Sequence, residues 1–250
     1  MAYETGEGFD MNSRPPNHRS EVAIDAFKHL SPVPIEDLTT YEFYIIRANV
    51  LLWMQRQQPN PTYVKTHCVN AVVDGIPIIP IHLTNKALYI ARDPRDIAVS
   101  FADHLGDDID TVIEKMNNPQ YAISKESTLI QPLMTWSMHV ASWTRDTELD
   151  RVNITYEDIL RQPKLAFKSI LEFFEIPFDE QRFNSALKQT NFKRLSRQED
   201  KKGYMGVSKH QEKFFRQGKI GKWKDVLTKK QRDKIEKDHG EMMEIMGYLN

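Results

Sequence analysis

The chain holds a single cysteine, Cys68, in 250 residues. No internal disulfide can form, which fits a reducing, cytoplasmic setting. No apolar run approaches the ~20 residues of a membrane span, so no membrane-embedded role is expected. Residues 1–6 are acidic and short of apolar side chains, and do not read as a secretory signal. There is no His-Glu-x-x-His and no Cys-x-x-Cys, and Asp107, Asp108 and Asp110 lack the EF-hand pattern, so no metal is expected. A Gly-x-x-x-x-Gly-Lys-Ser/Thr phosphate loop is also missing. No segment repeats, and none is of low complexity. The formal net charge is −1, which argues against a general nucleic-acid coat.

What remains is an ordinary globular composition, 40% apolar and 28% charged. The length suits one large α/β domain or two small ones. The near-zero charge conceals a split. Residues 188–237 carry 17 Lys and Arg against 6 Asp and Glu, a local net of +11, and the rest of the chain has a net of −12. Such a basic run is either a solvated helical face or one wall of a polyanion site, and composition leaves both open.

Residues 1–19 are polar, with Pro15-Pro16, and read as a loose lead-in. Leu38, Tyr41, Ile45, Ala48 and Leu52 recur at spacings of three and four, predicting an amphipathic helix over 38–54 that is ended by Pro59 and Pro61. A short strand is expected over 63–66, and Pro77 and Pro80 break the stretch after it. Ala87-Leu88-Tyr89-Ile90-Ala91 is an apolar run of strand length, followed by Asp93 and Pro94 as an N-cap and first helical residue. Further helices are expected over 134–145, with Trp136, Val140 and Trp143 on one face, and over 163–174, 179–188 and 229–246. A third strand covers 151–155. Strands alternating with helices predict an α/β fold with a central parallel sheet flanked by helices.

Four constellations could carry chemistry. Lys65 and His67 lie two apart at the end of a strand, so they share a side and would face the crevice where open α/β sheets bind ligands. His67 could take a proton near neutral pH, and Lys65 could hold a negative leaving group. On three residues alone, a surface Lys beside a satisfied core His is the commoner arrangement. Cys68, adjacent to His67, points to the other face and reads as packing. Next, Arg92 ends a strand just before a capped helix that carries Ser100, and a helix N-terminus beside an Arg suits a phosphate; an ordinary solvated turn fits as well. Third, Phe214–Lys224 is a cationic, aromatic-flanked loop whose Gly218 and Gly221 allow backbone amides to approach an anion, though a basic loop alone is weak evidence. Fourth, Tyr156 after a strand, and Thr190 and Phe192 after a helix, could flank a base or belong to the core.

In this order, the four together resemble the sulfotransferase family of the cytosolic and bacterial type. The resemblance runs from about residue 63 to 223. It implies 3'-phosphoadenosine 5'-phosphosulfate as co-substrate, without a metal, and a P-loop-kinase-like sulfotransferase fold in a single domain over 1–250. By resemblance, His67 is the base that deprotonates an acceptor hydroxyl or amine, and Lys65 lies beside the transferring sulfuryl group. Arg92 and Ser100 match the residues on the donor's 3'-phosphate. Arg216, Gln217 and Gly218 match the loop that closes over it, and Tyr156, Thr190 and Phe192 match positions around the adenine. Trp136, Trp143, Phe101 and Met134 would suit an apolar acceptor, or plain core. The family's dimer motif is only partly matched: Lys224 and Thr228 fit, while Lys229 and Asp233 depart.

The family's Pro-Lys-Ser-Gly-type loop between its first strand and helix is not found before Lys65. Gly6 and Gly8 follow no strand and lack the needed neighbours, and residues 1–6 resemble the tail of the helix that should follow that loop. The sequence is therefore expected to start inside the domain, with the first strand and loop missing. Two rivals remain open. One is a non-catalytic module that holds adenosine 3',5'-bisphosphate through Arg92, Ser100 and Arg216. The other is a single-strand nucleic-acid binder using residues 188–237; it ignores Lys65, His67 and Arg92, so no nucleic-acid partner is expected.

Overall fold

The structure is a computed structural model that describes residues 2–5, 9–13, 18–20, 24–57, 62–125, 128–145, 147–215 and 218–249. The first elements in chain order are α1 (Ala2–Thr5), β1 (His18–Ser20), α2 (Ile24–Leu30), α3 (Thr40–Arg56) and β2 (Tyr63–Lys65). Then come β3 (Val72–Val73), β4 (Ile76–Pro77), β5 (Ala87–Ala91), α4 (Pro94–Leu105) and α5 (Ile109–Met116). These are followed by β6 (Ala122–Lys125), β7 (Thr128–Pro132), α6 (Trp136–Thr144), β8 (Arg151–Thr155) and α7 (Tyr156–Arg161). The last are α8 (Pro163–Phe173), α9 (Glu180–Gln189), α10 (Phe192–Lys202), α11 (Trp223–Val226) and α12 (Lys229–Ile245). The fold is α/β. Its described ladders are each two-stranded: β1–β2, β3–β4, β5–β8 and β6–β7.

The chain divides into two compact units, one of residues 1–14, 88–116 and 151–250, the other of residues 15–87 and 117–150. In the first, β5 pairs with β8, and the turn after β5 starts α4 as the sequence predicts. Asp93 accepts from the Arg95 N–H at 2.9 Å, Pro94 occupies the first turn, and Gly106 closes the helix in the left-handed region. α4 buries Ala98, Val99 and Ala102, and α5 buries Val112, Ile113 and Met116. α12 buries Ile235, His239, Met242 and Met243, a stripe at helical spacing, while its basic residues face outward or flank that stripe. β8 leads directly into α7 through a capping box, in which the Thr155 hydroxyl accepts from the Asp158 N–H and the Asp158 carboxylate answers it.

In the second unit, β1 and β2 pair in parallel, His18 opposite Tyr63 and Ser20 opposite Lys65. This corrects the lead-in expected over 1–19, which holds a helix and a strand. A three-residue strand of polar residues has no alternation to read; its place is set by partners such as Tyr63, whose ring stacks on His18 at 4.8 Å. α3 begins at a Thr39–Glu42 capping box. The helix is where the sequence places it, but its buried face is not. Phe43, Tyr44, Ile46, Arg47, Val50 and Met54 are inside, while Tyr41 and Ile45 are 50% and 44% exposed. The segment is apolar nearly all round, so two stripes satisfy the same spacing, and packing selects one. Phe43 stacks on Phe27 of α2 at 4.9 Å, and the buried Arg47 Nε donates to the Ile78 carbonyl at 3.0 Å. In α6 the expected face holds, with Trp136, Val140 and Trp143 all buried.

His239 gives the first unit a pH dependence. Burial pushes its imidazole down to about 4. The unfolded chain then binds the extra proton between about pH 4 and the ordinary value near 6.5, so stability is fully present above that value and falls as the pH drops toward 4. The loss is on the order of 3 kcal/mol at most. In urea titrations across this range, His239→Gln should flatten the fall; an unchanged slope would count against it.

Candidate functional site

The described donor-site residues are on the first unit, where contacts join Arg92 to Tyr156 and Phe192 to Gly218. β5 delivers Arg92 to its carboxyl end. The Arg92 guanidinium lies 4.6 Å from the centre of the Tyr156 ring, at the first residue of α7. Its Nη2 donates to the Lys219 carbonyl at 3.4 Å and lies 3.9 Å from Asp96. Its Nε is buried and has no hydrogen-bond partner among the described residues. A buried N–H of a cation left unpaired is costly, so an acceptor at this Nε would be stabilising.

Lys219 is placed by Asp96. The Asp96 side chain has no exposed surface. Its Oδ2 accepts from the Gly221 N–H at 2.7 Å and its Oδ1 from the Trp223 N–H at 3.0 Å. The basic loop is thereby fixed against the first turn of α4, next to Arg92. Beside it, Arg95 is structural. Its guanidinium folds onto Asp93, reaches Glu236 at 2.7 Å and the Tyr248 carbonyl at 2.8 Å, and stacks on Trp223 at 4.0 Å. Glu157 accepts from the Asp93 N–H at 3.2 Å, and burial pushes its carboxyl above the usual range. The Tyr248 hydroxyl, 3.4 Å from it, is pushed up by burial and by that neighbour.

Gly218 sits in the left-handed region at φ +59°, and a Cβ there would lie 2.5 Å from the Phe192 ring. The loop backbone thus comes so close to the Phe192 ring that a side chain at this position would force a shift, and the left-handed φ itself favours glycine. Ser100 is exposed on α4, one helical turn beyond Asp96 and on the same side. Thr190, the C-cap of α9, is exposed and donates to the Ala186 carbonyl at 2.8 Å. Arg216 and Gln217 lie outside the described residues.

Lys65 and His67 belong to the second unit, and both are exposed. Lys65 ends β2, and His67 lies just beyond it. The His67 carbonyl accepts from His139 Nε2–H at 3.2 Å; burial holds the His139 imidazole below its usual range. Cys68 is buried, as expected, and its carbonyl accepts from the Trp143 indole at 3.0 Å. The same unit contains a cavity of about 720 Å³, lined by Val69, Ile79, Ile81, Met134 and Met138 on its apolar side and by Arg145 on its polar side. Met134 holds a left-handed φ of 60°, which is unusual for a residue of its size. Its side chain borders a cavity, whereas Trp136 and Trp143 are core.

The sequence did not single out Asp96, Glu157 or Arg95. In Arg-Asp-Pro-Arg-Asp, five polar or turn-forming residues read as solvated; the partners that bury them come from residues 157, 221–223, 236 and 248. Among the described residues, no helix is long and apolar enough to cross a membrane.

Residues 23–247 match the family model described as "Sulfotransferase domain". The chain is 25% identical over 200 residues to the mouse sulfotransferase 1 family member D1, covering 76% of this chain and 65% of that protein. It is 26% identical over 186 residues to the Arabidopsis thaliana cytosolic sulfotransferase 12, covering 72% and 55%. The chain thus spans less than two thirds of the length of these relatives. The crystal structure of the mouse sulfotransferase SULT7A1 complexed with PAP superposes with a TM-score of 0.59 at 18% identity, covering 90% of this chain and 82% of that one.

Asp96→Asn keeps the shape of the side chain but turns an amide N–H₂ against one of the two loop N–H groups. It should lower stability by about 2 kcal/mol in urea titration, through an unmade buried bond; a loss below the error of the measurement would mean that the carboxylate does not hold the loop.

Proposed function

We propose, for a chain that belongs to the sulfotransferase domain family, that it transfers a sulfuryl group from 3'-phosphoadenosine 5'-phosphosulfate to a hydroxyl or amine of a small-molecule acceptor. Arg92 carries the donor half. A guanidinium backed by the Tyr156 ring, with a buried Nε that no described residue satisfies, fits a phosphate with several oxygens. The donor's 3'-phosphate is the natural occupant, with the Ser100 hydroxyl as a second contact. Phe192 and Gly218, and by resemblance Arg216, Gln217 and Thr190, complete the nucleotide's surroundings. Tyr156 and Phe192 supply aromatic rings at its edge.

When bound, the donor supplies an activated sulfuryl group on a good leaving group. The chain's own groups handle charge and protons. The exposed His67 accepts the acceptor's proton at Nδ1 or Nε2 as the acceptor oxygen or nitrogen bonds to sulfur and the bridging oxygen departs with the nucleotide. Lys65 offsets the negative charge that gathers on that oxygen. As in phosphoryl transfer, positioning and charge stabilisation supply most of the rate. The cavity beside Val69 and Met138 suits an acceptor with a hydrocarbon body. The family match includes residues of both units, which supports one domain, and the Arabidopsis relative, named a cytosolic sulfotransferase, supports a cytoplasmic setting.

Sulfuryl transfer is tested with a labelled donor and a panel of phenols, alcohols and amines. Arg92→Ala should raise the donor KM at least ~10-fold, the loss of one charge-assisted contact, and leave the acceptor KM within about twofold; equal losses would remove Arg92 from the donor. His67→Ala should lower kcat by roughly 10²–10⁴-fold; full turnover would refute its role as base.

A further inference from the structure

The basic loop is held at a second point, and the residue that holds it lies on the helix that also carries Phe192. Glu199, 7% exposed, accepts the Phe214 N–H through Oε1 at 2.6 Å and the Phe215 N–H through Oε2 at 2.9 Å. Asp96 performs the same bond pair at Gly221 and Trp223. Two buried carboxylates therefore hold the loop backbone at Phe214 and Phe215 and at Gly221 and Trp223, each oxygen accepting one backbone N–H. Charged acceptors make stronger bonds than neutral ones, and an N–H left facing nothing costs more than the bond contributes.

Glu199 is seven residues after Phe192 on α10, so the two share a face of that helix. That face meets the loop twice, with the Phe192 ring under Gly218 and the Glu199 carboxylate under Phe214 and Phe215. Aromatic rings pack around the second anchor: Tyr204 lies 5.0 Å from Phe214 and 5.6 Å from Phe215, and Phe192 lies 6.2 Å from Phe215. α10 is itself fastened by the N-terminal segment. Gln198 exchanges bonds with Phe9 and Met11, and Asn12 bonds the Gly203 carbonyl and the Met205 N–H.

We propose that Glu199 is a positioning residue for donor binding: it holds the Phe214 and Phe215 backbone against the helix whose Phe192 ring meets Gly218, so that the backbone at Gly218 is pre-arranged beside the nucleotide. This rests on the donor-binding role proposed above. Backbone that is already fixed loses less freedom when a ligand binds beside it, so its anchors act on donor affinity without touching the donor. The carboxylate is required as such, because a Gln would turn an N–H₂ toward one of the two N–H groups.

The test compares the wild-type chain, Glu199→Gln, Glu199→Asp and the control Leu171→Ala, which opens a gap under α8 away from the loop. Tryptic cleavage without ligand, within residues 213–222, should be at least ~5-fold faster in Glu199→Gln and unchanged in Leu171→Ala. Calorimetry with adenosine 3',5'-bisphosphate, well below each variant's Tm, should show Kd raised at least ~10-fold in Glu199→Gln, less in Glu199→Asp, and unchanged in Leu171→Ala. With labelled donor, kcat at saturation should stay within about threefold. Faster cleavage with a wild-type Kd would make Glu199 a purely structural residue and overturn the proposal, as would an unchanged cleavage rate. If wild type itself gives no heat with the bisphosphate, the donor reading falls, and the cleavage rates alone still decide whether Glu199 anchors the loop.

Discussion

Asp96 has no exposed side-chain surface, and both of its oxygens accept backbone N–H groups more than 120 residues downstream. A buried carboxylate is tolerated only where hydrogen bonds replace its water. Here they also determine where the basic loop goes. With Gly221 and Trp223 fixed, the Lys219 carbonyl meets Arg92 and Gly218 comes down on Phe192. Trp223 in turn lies under Arg95, which ties the turn to Glu236 and to the Tyr248 carbonyl. One carboxylate at the start of α4 thus organises the end of a strand, a loop and the C-terminal helix.

The charge split takes on a physical meaning against this frame. The basic stretch holds α10, the loop and most of α12, and its apolar and acidic residues do the packing: Ile235 on α12, Glu199 on α10 and Trp223 in the loop are all buried. Several of its lysines are engaged in surface pairs, such as Lys213 with Asp200 and Lys234 with Glu114 and Asp238. Such exposed pairs add little stability. Arg92 comes from outside the basic stretch; its Nε, like that of Arg232, is buried without a hydrogen-bond partner among the described residues, and it alone of the two stands at the end of β5 over the Tyr156 ring.

Local signals were legible where the physics is local. Asp93 and Pro94 announce the start of α4 because an N-cap and a fixed φ act within three residues, and the run at 87–91 is a strand as read. The Trp136, Val140 and Trp143 face of α6 follows from spacing alone. Where two answers satisfy the same local rule, the sequence could not decide: α3 has apolar residues on more than one side, and Phe27 and Ile78 select the face that is buried. The candidate site was legible as residue types in order, through a resemblance. The groups that hold it were not. Asp96 and Glu199 look like ordinary solvated acids until partners 15 to 127 residues away are known.

The two units carry different parts of the proposed reaction. The first presents an arginine, aromatic rings and loop backbone held by two buried carboxylates; the second presents an exposed imidazole and lysine with an apolar cavity. The most direct measurement compares the affinity of the full chain for adenosine 3',5'-bisphosphate with that for adenosine 5'-phosphate, which lacks only the group assigned to Arg92. Loss of a buried charge-assisted contact predicts binding at least ~30-fold weaker for the monophosphate. Equal affinities would mean that Arg92 and the loop beside it do not grip a 3'-phosphate.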